Sequence, residues 1–216
     1  MKFNKNMLLL YAVTDRSWVG RQTLYEQIEE ALKGGITCLQ LREKNLSEED
    51  FINEANKVKE LCCRYNVPLI INDNLDVALN CGADGVHVGI EDTPVCEIRK
   101  RTDKDFIIGA TAKTVKQATA AQKAGADYIG VGAVFPSPTK KNAIRITTEQ
   151  LKNICSSVDI PSVAIGGIGL DNVSELAGGG IDGIAVVSAI FASEDIQKTT
   201  ALLKEKARQV TDNEEN

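Results

Sequence analysis

Eight short apolar runs, most of them rich in β-branched residues, recur along the chain. They are Leu8–Val13, Ile36–Leu41, Pro68–Ile71, Gly85–Val88, Phe106–Ala110, Tyr128–Gly132, Ser162–Ile165 and Ile184–Val187. The segments between these runs repeat apolar residues at helical spacing. In the first such segment Leu24, Ile28 and Leu32 form one stripe. That segment ends at Gly34-Gly35, a helix C-terminal signal. The pattern therefore predicts strands that alternate with helices.

A weak internal repeat supports this alternation. Gly82-Ala83-Asp84, Gly125-Ala126-Asp127 and Gly180-Ile181-Asp182 each precede an apolar run. In each copy the glycine ends a helix and the small or apolar residue turns the chain. The aspartate then lies where the next strand begins.

Alternating strands and helices imply a parallel sheet. Eight such units without a Pro/Ser-rich linker predict one domain over residues 1–216, a closed (β/α)8 TIM barrel. Residues 211–216 are expected to be a frayed acidic tail. The alternative is an open doubly wound sheet, which usually has fewer strands and carries G-x-G-x-x-G after its first strand, a motif missing here.

The end of the second predicted strand carries polar groups that an ordinary buried strand would not contain. The segment Gln40-Leu41-Arg42-Glu43-Lys44 follows a buried run, and strand alternation places Gln40, Arg42 and Lys44 on one side. In a parallel barrel the carboxyl ends of the strands hold the chemistry. The simpler alternative is that long side chains extend from the rim of the barrel into water.

Other strand ends are polar as well. They supply Thr14-Asp15-Arg16, Asn72-Asp73, Glu91-Asp92, Thr111 and Pro136-Ser137-Pro138-Thr139-Lys140-Lys141. Each has a structural alternative. Asn72 or Asp73 could cap the helix that begins near Leu75, and Ser137 to Thr139 could form a turn. Thr93 is predicted to cap a helix whose first residue is Pro94, which leaves Asp92 without a capping role. His87 is more typical of a hydrogen-bonded core histidine than of a catalyst.

Taken together, these side chains form a set that suits a Mg²⁺-bound diphosphate. Asp73 and Asp92 come from neighbouring strands, and Arg42, Lys44 and Lys140 add fixed positive charge. Mg²⁺ takes one or two carboxylates and completes its shell with water and phosphate oxygens. Arginine binds phosphate oxygens with two parallel hydrogen bonds, and lysine supplies a mobile charge.

A second anion site is predicted after strands seven and eight. Gly166-Gly167 and Val187-Ser188 stand at these strand ends. Loops at this place in a barrel often bind phosphate through backbone N–H groups. The alternative is a tight strand-to-helix turn.

Composition narrows the function classes. The net charge is −5 and no long basic block is present, which disfavours nucleic acid or an anionic membrane as a partner. No run approaches the roughly 18 apolar residues of a membrane span. The six cysteines lack metal-site spacing, and with one histidine a zinc site has no support. Reduced cysteines among apolar neighbours are typical of a cytoplasmic protein.

The ordered motifs resemble those of the thiamine-phosphate synthase family. The similarity runs through LLLYAVTDR, QLREK, IINDN, DGVHVGIED, FPSPTKK, AIGGIG and VVSAIF, and so covers nearly the whole chain. The resemblance implies a transferase that joins a hydroxymethylpyrimidine diphosphate to a thiazole phosphate and releases pyrophosphate, with Mg²⁺ as cofactor. The partners implied are these small molecules, and the sequence does not predict an oligomeric state.

The resemblance also implies roles for individual residues. The pyrimidine diphosphate would be bound by Gln40, Leu41, Arg42, Glu43, Lys44, Asn72, Thr111 and Lys140, of which Arg42, Lys44 and Lys140 would act in catalysis. The thiazole phosphate would be bound by Ser137, Pro138, Thr139, Gly167, Val187 and Ser188. Asp73 and Asp92 would ligate Mg²⁺.

Some positions differ from the family pattern. Thr111 stands where serine is common and Ser137 where threonine is common, so both hydroxyls remain. The related thiazole tautomerases carry a catalytic histidine where this chain has Lys113, which disfavours that activity. The further alternatives are a sugar-phosphate isomerase or epimerase that uses Asp73 and Asp92 as acid and base, and a non-catalytic sensor of a phosphate ligand.

Overall fold

The structure, a computed structural model, describes residues 2–20, 22–137 and 145–211. Eight parallel strands close into a barrel in chain order, which confirms the predicted (β/α)8 architecture. The strands are β1 (Leu10–Val13), β2 (Cys38–Leu41), β3 (Leu69–Asn72), β4 (Gly85–Val88), β5 (Ile107–Ala112), β6 (Tyr128–Gly132), β7 (Ser162–Ile165) and β8 (Gly183–Val186). The barrel closes where Leu10 of β1 lies beside Ile184 of β8.

Helices surround the barrel. They are α1 (Leu24–Gly34), α2 (Glu48–Arg64), α3 (Leu75–Asn80), α4 (Val95–Arg101), α5 (Val115–Ala124), α6 (Thr148–Cys155), α7 (Ser188–Phe191) and α8 (Ile196–Thr211). The connection from β7 to β8 contains only a 3-10 turn, Val173–Leu176. Gly35 ends α1 in the left-handed conformation that the glycine pair predicts.

Several element boundaries differ from the sequence prediction by one or more residues, and three of them affect the interpretation. The first strand begins at Leu10, because Lys5–Leu8 forms a 3-10 turn. The fifth strand continues to Ala112, so Thr111 lies inside β5 rather than after it. Thr211 belongs to α8, which corrects the predicted start of the acidic tail, and 212–216 lie outside the described residues.

Alternation along the strands produces two apolar layers. Residues such as Tyr11, Cys38 and Tyr128 form the barrel interior. Their neighbours Leu10, Leu39 and Leu41 face the helices in the larger outer layer. Because one strand face fills the barrel and the other supports the helices, a polar side chain at an inward position lies near the interior axis.

The repeated Gly-x-Asp segments lie at the amino ends of the strands. Asp84, Asp127 and Asp182 each accept a hydrogen bond from a backbone N–H in the first two residues of the preceding strand, at 2.7–2.9 Å. Each aspartate therefore joins two neighbouring strands at the end opposite the predicted site. In a barrel of this kind that end serves stability.

Candidate active site

The carboxyl ends of the strands enclose a cavity of about 190 Å³. Residues of β1, β2 and the following loops line one side, and the loops after β7 and β8 line the other. The lining residues include Tyr11, Thr14, Asp15, Gln40, Arg42, Asn72, His87, Thr111, Lys113, Gly130, Ser137, Gly166, Gly167, Val187 and Ser188. The two anion sites predicted from separate parts of the sequence therefore open into one space.

Arg42 is held at the cavity edge by the loop after β1. Its Nη1 donates to Asp15 Oδ2 at 2.9 Å, and its backbone N–H donates to Thr14 Oγ1 at 2.9 Å. Burial alone raises the pKa of Asp15, but hydrogen bonds from Ser17 and the charge of Arg42 hold it below its usual value. Asp15 stays ionised at neutral pH, so the guanidinium has a fixed partner and a defined direction.

A cation and two carboxylates meet beside the ends of β3 and β4. Lys44 Nζ lies 2.7 Å from Asp73 Oδ2, and the side chains of Asp73 and Asp92 interact directly. Burial and the neighbouring Asp73 raise the pKa of Asp92. Burial also acts to raise the pKa of Asp73, but hydrogen bonds from Lys44 and Asp92 lower it overall.

The backbone around this pair resolves the capping alternatives. Asn74, rather than Asn72 or Asp73, caps α3, since its side chain accepts from the N–H of Val77 at 2.9 Å. Asp73 is free for another role and has φ of +63°, a conformation that residues other than glycine rarely adopt. Helix α4 begins at Val95 without a side-chain cap, so the capping role predicted for Thr93 is wrong.

The carboxylate pair suits a divalent cation that also binds a ligand. The pKa of Asp92 is raised although Lys44 pairs with Asp73, so one lysine does not offset the charge of both carboxylates. A divalent cation between them would let both ionise. Within the described ranges no group of three or more His, Cys, Asp and Glu side chains converges. A metal at Asp73 and Asp92 would therefore take its remaining ligands from water and phosphate oxygens, as Mg²⁺ does.

Five side chains form a continuous hydrogen-bond chain across the barrel interior, called here the interior chain. Gln40 Nε2 donates to Tyr11 Oη at 2.8 Å, and Tyr11 Oη lies 2.8 Å from Tyr128 Oη. Tyr128 Oη lies 3.1 Å from His87 Nδ1, and His87 Nε2 lies 3.1 Å from Thr111 Oγ1. Burial lowers the pKa of His87 to about 4, so the imidazole is neutral at physiological pH. This arrangement confirms the prediction of a hydrogen-bonded histidine.

Two glycines shape the opposite side of the cavity. Gly166 has φ of +104° and Gly167 has φ of +66°. A Cβ on Gly167 would lie 2.1 Å from the carbonyl oxygen of Pro136, so the loops after β6 and β7 approach too closely for any side chain. The first N–H groups of α7, which begins at Ser188, have no acceptor within the helix and lie at the same end of the barrel. These are the features of a backbone anion site.

Not every predicted residue faces the cavity. Leu41 is fully buried in the layer between strands and helices. The side chain of Glu43 points away and pairs with Arg16 at 2.7 Å. Gln40, Arg42, Asn72, Thr111, Ser137, Gly167, Val187 and Ser188 line the cavity, and Lys44 lies beside Asp73. Pro138, Thr139 and Lys140 lie outside the described residues.

The sequence reasoning gave no role to several lining residues. Asp15 was visible as a polar strand end, but only the ion pair with Arg42 shows what it contacts. Tyr11 and Tyr128 read as ordinary core residues, and nothing in their spacing indicated that their hydroxyls meet. Lys113 also lines the cavity, two positions beyond Thr111 on the same face.

The barrel carries Arg42 and Lys44, the Asp73–Asp92 carboxylate pair and the Gly166-Gly167 loop at its carboxyl end. These features define the class of (β/α)8 enzymes that act on phosphorylated ligands. Residues 10–190 match the family model described as thiamine monophosphate synthase. The chain belongs to this family, which confirms the family and the transferase class that the motifs predict.

Individual relatives agree with this assignment. Thiamine-phosphate synthase of Clostridium novyi is 48% identical over 195 residues, 90% of this chain and 96% of the relative. The protein of the same name from Ruminiclostridium cellulolyticum is 50% identical over 91% of this chain and 93% of its own length. Thiamine phosphate pyrophosphorylase from Pyrococcus furiosus superimposes with a TM-score of 0.88 at 39% identity, over 95% of this chain and 98% of that one.

A more distant structure shares the fold alone. KGPDC from Streptococcus mutans superimposes with a TM-score of 0.70 at 13% identity, over 94% of this chain and 99% of that one. None of the helices in the described part of the chain combines the length and apolar character that crossing a membrane requires.

Proposed function

We propose that this chain joins 4-amino-2-methyl-5-hydroxymethylpyrimidine diphosphate to 4-methyl-5-(2-hydroxyethyl)thiazole phosphate and releases pyrophosphate. With the carboxylated thiazole, the carboxylate would also leave as CO2 and a proton from water would take its place. The observation that carries the proposal is one cavity lined by two unlike sets of groups. Arg42 and Asn72 stand on one side, and Gly167 and Ser188 stand on the other. A cavity built this way suits a reaction between two phosphorylated molecules.

The diphosphate is assigned to the side of β2 and β3. The guanidinium of Arg42, already directed by Asp15, can bind two phosphate oxygens at once. Lys44 and Asn72 add donors, and Lys140 completes the positive charge in this proposal. Asp73 and Asp92 would hold Mg²⁺, whose contribution when bound is to stabilise the negative charge of the departing pyrophosphate.

The reaction needs bond cleavage followed by capture. The bond between the pyrimidine methylene carbon and the diphosphate oxygen breaks, and its electron pair leaves with pyrophosphate. The thiazole nitrogen then donates its lone pair to the benzyl-like carbon, which forms the C–N bond of the thiazolium product. With the uncarboxylated thiazole no proton has to move, and this agrees with a site whose only imidazole is neutral and engaged in hydrogen bonds through both ring nitrogens.

The thiazole phosphate is assigned to the glycine side. The backbone N–H groups near Gly167 and Ser188 suit its phosphate, with Ser137, Pro138, Thr139 and Val187 as further contacts. The chain would then contribute chiefly alignment and charge stabilisation. We further propose a reducing cytoplasm as the compartment, which the free cysteines support.

One assay tests the function against its alternatives. The purified chain receives both precursors with Mg²⁺, and pyrophosphate and thiamine phosphate are measured together. Equal amounts of both products are expected. Pyrophosphate without thiamine phosphate would indicate a hydrolase, and a rearranged thiazole alone would indicate a tautomerase. Binding of both precursors without any product would indicate a sensor, and failure to bind either would favour an isomerase or epimerase for another phosphate.

A further inference from the structure

One positive charge in the cavity is not balanced by the residues that line it. Among the described lining residues, the charged side chains are those of Asp15, Arg42 and Lys113, since His87 is neutral. Asp15 and Arg42 pair with each other at 2.9 Å. In the described part of the chain Lys113 forms no ion pair with a carboxylate, and residues 138–144 contain no aspartate or glutamate. Lys113 therefore presents an uncompensated charge to a ligand.

The backbone directs Lys113 into the cavity. Thr111 faces the barrel interior, because its Oγ1 lies 3.1 Å from His87 Nε2. Lys113 stands two residues further along and so lies on the same face, one layer nearer the mouth of the barrel. Its backbone N–H donates to Gln117 Oε1 at 2.8 Å, and Thr114 caps α5 directly after it. These bonds fix the point from which the half-buried lysine side chain extends.

Lys113 lies between the two sides of the cavity that suit anions. It follows β5, whereas the carboxylate pair follows β3 and β4 and the Gly166-Gly167 loop follows β7. The register of β5 and β6 places it beside Gly132, where a Cβ would lie 2.0 Å from the carbonyl oxygen of Ile165. A side chain is therefore excluded from the position next to Lys113, and this part of the cavity is open to a ligand.

The carboxylated thiazole carries an anionic group that has no partner so far. The diphosphate is assigned to the side of β2 and β3, and the thiazole phosphate to the glycine side. A thiazolium ring loses CO2 from the carbon between nitrogen and sulfur, because the electron pair that remains there is stabilised. That carbon adjoins the nitrogen that attacks the pyrimidine methylene. Its carboxylate must therefore lie in the middle of the cavity, between the two phosphate groups.

We propose that Lys113 binds this carboxylate and makes the carboxylated thiazole phosphate the favoured acceptor. A half-buried ammonium gains a charge-assisted hydrogen bond from a carboxylate, whereas the uncarboxylated ring leaves it without a partner. The inference rests on the proposed function and adds a specificity-determining residue to it.

The ion pair would last until the carboxylate leaves. After the C–N bond has formed, the bond between the ring carbon and the carboxylate breaks. Its electron pair stays on the ring carbon, CO2 departs, and water supplies the proton. Because CO2 is neutral, Lys113 is then free for the next substrate.

The first test measures binding without reaction. Calorimetry with Mg²⁺ and inorganic pyrophosphate compares the two thiazole phosphates, which differ in the carboxylate, and no C–N bond can form without the pyrimidine. The unmodified chain should bind the carboxylated form at least about tenfold more tightly, as expected for a hydrogen bond between charged groups. Equal affinities would overturn the inference. If neither thiazole binds, the proposed function itself is contradicted.

The second test repeats this comparison in Lys113→Met, which keeps the length of the side chain and removes its charge. The preference for the carboxylated form is expected to fall by about tenfold, to near equality. Lys116→Met is the matched control, because it removes an exposed cation of α5 outside the cavity and should keep the full preference. Lys113→Arg retains the charge and should keep most of the preference. If Lys113→Met does not fold, Lys113→Gln serves with the same expectations.

Turnover distinguishes the carboxylate from the two phosphate groups. With both thiazoles present, the CO2 released per thiamine phosphate formed reports how much product came from the carboxylated form. This fraction should drop in Lys113→Met, as the ratio of the two kcat/KM values falls by about tenfold. An equal loss for both thiazoles would assign Lys113 to the thiazole phosphate. A raised KM for the pyrimidine diphosphate at an unchanged ratio would assign it to the diphosphate, and either result would refute the inference.

Discussion

At the scale of single residues, several polar groups of the site are already paired with other residues of the protein. Arg42 is directed by Asp15, and Lys44 by Asp73, at 2.9 and 2.7 Å. His87 is directed by Tyr128 and Thr111. Such prior positioning lowers the entropy cost of binding a charged ligand, because the side chains do not need to be ordered at that moment.

The neutral state of His87 predicts an acid-sensitive stability. Its folded pKa of about 4 lies below the unfolded value near 6.5. As pH falls from about 6.5 toward 4, the unfolded chain binds a proton that the native state does not, so stability decreases. Between about pH 6.5 and 5 a loss of roughly 1 to 2 kcal/mol is expected, since the ring also faces the cavity and is partly screened.

Denaturant unfolding at several pH values measures this loss. His87→Gln cannot titrate and should show a flatter profile over the same interval, even if it is less stable at neutral pH. Because the chain has no other histidine, an equally steep profile in the variant would contradict the assignment.

At the scale of elements, the two ends of each strand have different tasks. The amino ends carry Asp84, Asp127 and Asp182, which join neighbouring strands through backbone N–H groups. The carboxyl ends carry charged groups and glycines with positive φ, features that cost stability and serve a ligand. This division predicts that variants at the amino ends lower stability and that variants at the carboxyl ends lower activity.

Asp127→Ala tests the amino end. Asp127 accepts from the N–H of Ile108 and from Arg99, each at 2.7 Å. Its loss removes this partner of the Ile108 N–H and the ion pair of Arg99, which keeps its hydrogen bonds to the carbonyls of Gly125 and Phe106. The free energy of unfolding should fall by roughly 2 kcal/mol, with kcat/KM unchanged in the folded protein. Asp105→Ala on the exposed turn before β5 should change stability by less than about 0.5 kcal/mol. A large loss of activity in folded Asp127→Ala would contradict this division.

Gly167→Ala tests the carboxyl end. The new Cβ would meet the Pro136 carbonyl, so the loop must move and the backbone N–H groups with it. The KM for thiazole phosphate should rise about tenfold or more, which corresponds to roughly 1.4 kcal/mol of binding. Gly178→Ala is the matched control, with φ of +74° but open space around its Cβ, and should cost stability alone. Equal kinetic effects in both variants would argue against a phosphate site at Gly167.

At the scale of the whole molecule, ligand binding and folding are linked. The cavity is lined by residues from strands on all sides of the barrel, so a ligand that binds it favours the closed, folded form. Stabilisation should therefore depend on Mg²⁺ and diphosphate together, because each supplies part of the other's coordination.

Thermal unfolding with inorganic pyrophosphate and Mg²⁺ measures this linkage. At a hundred times Kd, stabilisation of about 2.7 kcal/mol is expected. Asp92→Ala should lose most of this gain and most of the Mg²⁺-dependent turnover, while the barrel remains folded. Glu91→Ala removes the adjacent exposed carboxylate and should retain both. Full turnover of Asp92→Ala at limiting Mg²⁺ would rule out the metal role.

The sequence by itself determined the architecture and which polar strand ends lie at one rim of the barrel. Eight apolar runs with helical segments between them permit few arrangements, and parallel strands bring their carboxyl ends together, so local patterns such as Gln40-Leu41-Arg42-Glu43-Lys44 were enough to locate one rim. Strand alternation also separated Gln40 from Leu41, which faces the helices.

Only the tertiary structure decided which partners those residues have. The pairing of Arg42 with Asp15 and the interior chain through Tyr11, Tyr128 and His87 join residues 27 to 117 positions apart. Periodicity shows which face a residue occupies, but not which atoms from other strands meet it there. Hydrogen bonds between strands, and the backbone conformation of Asp73, depend on those contacts. Differences of a few tenths of an ångström between distant parts of the chain decide whether such a contact forms.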